Sequence, residues 1–182
     1  TIIFPVSASL DERLVNLHKT KFNQLAIDLW NYAELGYQET QSVDAITNIL
    51  SSEGFSVKKN VANIPTAFIA EYGNGGPVIA ILGEFDALPG LAQTRSAFRE
   101  VENNSTGAGQ ACGHHLFGAG SAWAAVIIKD WLKENNINGT IRFYGTPAEE
   151  GGSGKVYMVR AGLFEDVDIV FHWHPDDQNS AN

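Results

Sequence analysis

Val78-Ile79-Ala80-Ile81-Leu82-Gly83-Glu84-Phe85-Asp86-Ala87-Leu88-Pro89 is the stretch on which the fold turns. Its first five residues are apolar without interruption, the pattern of a central strand covered on both faces. The run then changes abruptly to glycine, two acids and a proline. Ligands in open α/β sheets sit beyond the carboxyl ends of the strands, so the polar end of this run can meet other strand ends at one rim.

Upstream, Thr66 to Tyr72 is a second β-rich run, separated from Pro77 to Leu82 by Gly73-Asn74-Gly75-Gly76. A turn signal between two such runs predicts a strand pair. Before it lie two helical periodicities. Leu10, Leu14, Leu17, Leu25 and Leu29 follow a capping box made by Ser9 and Glu12, predicting a long helix towards Glu34 with Gly36 as its stop. Val43, Ile46, Ile49 and Leu50 repeat the period, and Gly54 closes that second helix.

Downstream, Gly90 to Gly109 is polar and reads as a long functional or mobile loop. Leu116 to Leu132 is an Ala-rich helix, Thr140 to Gly145 a strand, and Asp168 to His174 one more strand after a short helix. The order helix, helix, strand, strand, helix, strand, helix, strand predicts a layered α/β sheet with helices on its faces.

Composition mainly excludes. The 182 residues are 44% apolar, enough for one domain with a sizeable core. A formal net charge of −9 argues against a nucleic-acid or anionic-membrane partner. No apolar run approaches the length of a membrane-spanning helix. A cytoplasmic location is expected, with export as the alternative if Thr1 to Ala8 is the remnant of a signal peptide. Gly151-Gly152-Ser153-Gly154-Lys155 lacks the first glycine and the Ser or Thr of a phosphate loop, so no nucleotide site is expected.

Three polar clusters carry the chemistry. In Ala111-Cys112-Gly113-His114-His115, a thiolate and an imidazole two residues apart can reach one ion if the glycine lets the backbone fold tightly. A helix N-terminus disfavours charged histidine, which predicts a neutral, ligand-competent imidazole. In Pro147-Ala148-Glu149-Glu150-Gly151-Gly152, one carboxylate can bind a cation while its neighbour serves as general base. In Phe171-His172-Trp173-His174-Pro175, strand alternation puts both histidines on one face. Asp86 is placed to accept the proton of a ligand imidazole and fix its tautomer.

With these residues in hand, the chain resembles the zinc aminoacylase and carboxypeptidase superfamily, peptidase family M20, in its amidohydrolase branch. The resemblance rests on Glu34-Leu35-Gly36-Tyr37-Gln38-Glu39, Gly-Glu-Phe-Asp-Ala-Leu-Pro, Ala-Cys-Gly-His and Gly-Thr-Pro-Ala-Glu-Glu-Gly-Gly in this order. It implies a three-layer αβα catalytic domain, with Cys112, His114, Glu150 and His174 as metal ligands and Glu149 as the base. His174 is preferred over His172 because it lies six residues beyond Asp168 in the family's strand pattern. Glu84 stands where other branches carry a ligand histidine, and nothing in the resemblance assigns it a role.

The resemblance further implies one or two divalent ions, zinc first on the softness of the thiolate, with manganese or cobalt as alternatives. The expected substrate is a small N-acyl or aminobenzoyl amino acid or a dipeptide. It also implies a parent chain of roughly twice this length. Residues 1–182 would then be the N-terminal portion of the catalytic domain. A dimerisation lid, through which the parent forms a homodimer, and a returning segment with a further His ligand would lie outside them. Two rival expectations remain: a metal- or peptide-binding homologue without turnover, and a hydrolase using Cys112 with His114 as nucleophile and base.

Overall fold

The computed structural model describes residues 12–103, 106–178 and 180. The capping box at Ser9, Leu10 and the signal-peptide reading of the first residues lie outside them.

Helix α1 (Glu12–Tyr32) buries Leu14, His18, Phe22, Leu25 and Leu29, a stripe with steps of four, four, three and four residues. Leu17, expected on that stripe, is 65% exposed. His18 takes the buried position instead, because its ring nitrogen meets Asp130 at 2.7 Å and its burial is thereby satisfied. Helix α2 (Thr40–Ser52) buries Val43, Ile46 and Leu50 and ends before Gly54, whose φ is 90°.

Five strands form one mixed sheet in the order β1 (Ser56–Lys59), β2 (Phe68–Asn74), β4 (Gly139–Gly145), β3 (Val78–Gly83), β5 (Ile169–Phe171). The expected pairing of the runs at 66–72 and 77–82 is therefore corrected. Both strands exist, but β4 lies between them, antiparallel to β2 and parallel to β3. The link from Gly73 to Pro77 spans two strand spacings, roughly 10 Å, rather than one. Thr140 pins it there, donating its N–H to the Pro77 carbonyl at 3.0 Å and its hydroxyl to the Gly75 carbonyl at 2.8 Å.

Alternation along the strands sorts the core into two faces. Phe68, Ala70, Ile81, Ile141 and Phe143 pack against α1, α2 and helix α3 (His114–Glu134). Ala80, Leu82 and Tyr144 face the other way, against Val61, Ile64 and Met158 of helix α5 (Gly154–Arg160). The three-layer αβα expectation holds. Strand β1, exposed and lysine-rich, was not legible as a strand, and it lies at the sheet's edge.

Because β3, β4 and β5 are parallel, their carboxyl ends share one rim. Glu84 and Asp86 follow β3, and the short helix α4 (Glu149–Gly152) follows β4. Strand β5 stops at Phe171, so His172 and His174 lie past its end rather than within it.

Candidate metal centre

Four segments bring the chemistry together at that rim. Gly113, with φ 82°, makes the tight turn that starts α3 and puts Cys112 and His114 on the same side. His114 is fully buried. Its Nδ1 lies 2.9 Å from Asp86 Oδ1 and 3.0 Å from the Asp86 carbonyl. Both partners accept only, so Nδ1 carries the proton and Nε2 points into the site. This is the relation expected of Asp86, whose other oxygen accepts the Glu150 backbone N–H at 3.0 Å.

His174 is oriented likewise. Its Nδ1 donates to the Pro175 carbonyl at 2.8 Å, leaving Nε2 at 3.4 Å from Cys112 Sγ and 3.4 Å from His114 Nε2. Two imidazole nitrogens and a sulfur thus face one another. A second group shares His114: its Nε2 lies 2.9 Å from Glu84 Oε2 and 3.9 Å from Glu149 Oε2. Within each of these groups, Cys112/His114/His174 and Glu84/His114/Glu149, the donor atoms all lie within 4.8 Å of one another.

Of the residues singled out from sequence, Cys112, His114, His174, Glu149 and Asp86 converge directly. Glu150 belongs to neither of these two groups; its carboxylate acts on the Cys112 thiol. Glu84, without an assigned role, is 2% exposed and belongs to the centre. Its Oε1 accepts from Lys155 of α5 and lies 3.4 Å from His172 Nε2. Both histidines past β5 therefore reach the rim, His172 towards Glu84 and His174 towards the thiol. The only sequence signal for Glu84 was its position just past a buried strand.

The electrostatics are dominated by carboxylates. Burial, then Glu150, Glu149 and Glu84, push the Cys112 thiol up to about 12. Burial alone would depress His114, but Asp86 and Glu84 outweigh it and raise the imidazole to about 10. At contact distance these two acceptor carboxylates work against the helix N-terminus, which by itself favours the neutral, ligand-competent imidazole; a cation on Nε2 would replace the proton they attract. Glu84 is held down to about 2: burial opposes this, but His114 and Lys155 outweigh it. His115 is lowered to about 4 by burial and by the neighbouring His114 charge.

This surplus of negative charge and lone pairs fits a cation. Glu84 Oε2 is buried and makes no hydrogen bond, although it stands against His114 Nε2. An ion accepting lone pairs from Nε2, sulfur and carboxylate oxygen would satisfy atoms that the protein's own donors leave unmatched. Beside the centre, a cleft of about 490 Å³ is lined by Leu35, Tyr37, Leu88 and Pro89 and shares Asp86 and Glu150 with it.

Residues 80–182 match the family described as Peptidase family M20/M25/M40. The chain is 43% identical over 162 residues to one of the subunits of the p-aminobenzoyl-glutamate hydrolase of Escherichia coli (strain K12), covering 89% of this chain and 34% of that protein. It is 31% identical over 174 residues to an Xaa-Arg dipeptidase of Mus musculus, covering 88% of this chain and 36% of that protein. Among solved structures, a dinuclear metal-binding peptidase of the M20 family from Bacillus subtilis superposes with a TM-score of 0.75 at 29% identity. That match covers 92% of this chain and 44% of the other. The chain therefore spans about a third of the length of these curated relatives.

Proposed function

The chain belongs to peptidase family M20/M25/M40, and from that premise we propose that its full-length protein hydrolyses the amide bond of a small acylated amino acid or dipeptide at a divalent metal centre. The observation that carries this reading is the convergence of Cys112, His114 and His174 with Glu149 and Glu84 on one rim. An N-acyl or aminobenzoyl amino acid is the substrate class, supported by the 43% identity to the p-aminobenzoyl-glutamate hydrolase chain. The cleft between Tyr37 and Leu88-Pro89 offers an apolar wall for the acyl group.

Cys112, His114, Glu150 and His174 would hold the ion or ions, with zinc favoured by the thiolate and manganese or cobalt as alternatives. When bound, a divalent ion supplies Lewis acidity, polarising the scissile carbonyl and easing deprotonation of water. Glu149, whose side chain is 44% exposed beside His114, takes the proton of the attacking water and returns it to the leaving amine. Asp86 fixes His114 with Nε2 inward, and the Pro175 carbonyl does the same for His174. Residues 1–182 are read as the N-terminal portion of the catalytic domain. The lid, the dimer contact it makes and a further histidine ligand belong to the rest of the longer protein.

A cysteine-nucleophile mechanism is disfavoured by the same geometry. The imidazole nitrogen that meets the Cys112 sulfur at 3.4 Å belongs to His174, not to the His114 that such a mechanism would use as its base. The test is turnover of p-aminobenzoyl-glutamate and N-acyl amino acids by the full-length protein and its Glu149→Gln variant. Metal-dependent hydrolysis lost in the variant is the expected result, and wild-type turnover by Glu149→Gln would overturn the reading.

A further inference from the structure

Glu39, the residue just before α2, is completely buried although it carries a carboxylate. Its Oε1 accepts the backbone N–H of Ala148 at 2.8 Å, across 109 residues of sequence. Its Oε2 is buried and makes no hydrogen bond. The Thr66 hydroxyl and Glu39's own backbone also act on this carboxyl group, but burying a carboxyl remains an expensive way to hold a backbone amide. Something at Ala148 has to warrant it.

Ala148 sits in the left-handed region at φ 55°, ψ 43°, where a residue with a Cβ is sterically disfavoured. Alanine offers no side-chain cap to α4, which begins at the next residue. The turn is instead held from outside. Gly36 approaches so closely that a Cβ there would stand 2.9 Å from both Cα and Cβ of Ala148. Asp86 Oδ2 takes the N–H of Glu150, as Glu39 Oε1 takes that of Ala148. The two buried carboxylates thus grip the backbone amides on either side of Glu149.

We propose that Glu39 is a positioning residue for Glu149: by holding the Ala148 amide it keeps the left-handed turn that aims the general base at the metal centre. The proposal rests on the hydrolytic reading above. It assigns the work to the acceptor oxygen and not to the charge. Glu39→Gln keeps an oxygen at the same reach while removing the charge. Glu39→Asp keeps the charge but withdraws the oxygen by one methylene, beyond hydrogen-bond length from Ala148 N.

The experiment compares these two variants with wild type in the full-length protein, with p-aminobenzoyl-glutamate as probe and metal content and Tm measured in parallel. The Gln variant is expected to stay within about threefold of wild-type kcat, while the Asp variant loses on the order of 10²-fold in kcat, the scale of a 1 Å misplacement. KM and bound metal should change little in either. A merely structural role would lower Tm and leave kcat per folded molecule unchanged, which overturns the proposal. So does an Asp variant with wild-type kcat, or a Gln variant that loses 10²-fold, and the latter decides the matter even if the Asp variant does not fold. Absence of hydrolysis by wild type would instead strike the functional reading.

Discussion

Replacing Asp86 by asparagine should loosen the metal centre without removing any of its proposed ligands. The Asp86 side chain is inaccessible to solvent and accepts two hydrogen bonds, from His114 Nδ1 at 2.9 Å and from the Glu150 N–H at 3.0 Å. An asparagine has one acceptor oxygen, so one of these donors must face the amide NH2. The lost charged hydrogen bond is worth about 1.5–3 kcal/mol, and stranding a buried donor costs about 1–3 kcal/mol more. Folding stability should therefore fall by roughly 2.5–6 kcal/mol if both terms act in full.

The effect on metal affinity has two parts of opposite sign. Asp86 raises the proton affinity of His114, so its removal weakens proton competition at the imidazole. The same carboxylate attracts a doubly charged ion more strongly than the single proton that the ion displaces, and this part dominates. Loss of such a supporting carboxylate typically costs 10–100-fold in metal affinity, about 1.4–2.7 kcal/mol. Competition of the full-length protein with a chromogenic chelator for zinc at fixed pH measures it, with thermal melts reporting the stability change. Zinc affinity within twofold of wild type in Asp86→Asn would rule out this role for Asp86.

Glu149→Gln should lower kcat by about 10²–10⁴-fold, the usual worth of a general base, while metal content measured by elemental analysis is unchanged. Removing the metal with a chelator should abolish turnover and lower Tm, and readdition of zinc should restore both, since an ion bound only by the folded state stabilises it. Far from the centre, Lys129 is 6% exposed and pairs with Glu53 at 3.3 Å and Asp130 at 2.7 Å, clasping α1, α2 and α3 together with His18 and Lys21. Burial would raise both carboxylates, but for Glu53 the bonds from Lys21 and Lys129 outweigh it, and for Asp130 those from Lys129 and His18. Both are held below their ordinary values, so the clasp stabilises fully above the unfolded carboxylate range and is lost as pH falls through the lower folded values. The urea midpoint should fall on acidification in wild type and fall less steeply in Lys129→Met. Phe143→Ala, in the fully buried stack with Phe68, should cost about 3–5 kcal/mol in chemical denaturation with zinc affinity unchanged.

What is local could be read from the residues alone. The apolar run from Val78 to Leu82 meant a buried strand, the stripes of α1 and α2 meant helices, and the polar clusters after strands marked the rim. The Asp86–His114 relation was also within reach, because a carboxylate and an imidazole at two such ends have one obvious way to meet. The choice of Leu17 failed because a helix stripe can turn by one residue without breaking its period, and only the docking against α3 fixes its phase. The insertion of β4 between β2 and β3 came from the tertiary fold, since strand pairing here joins segments 62 to 77 residues apart and leaves no local trace.

It decided the centre's membership in the same way. Glu84 looks from sequence like any acid after a strand, and Glu39 like any acid before a helix; one stands at a candidate metal position and the other holds the Ala148 amide. Period and composition report how each segment would bury its own apolar face. Which carboxylate meets which imidazole or amide depends on how separate segments dock, and that distance information is not written in any one of them.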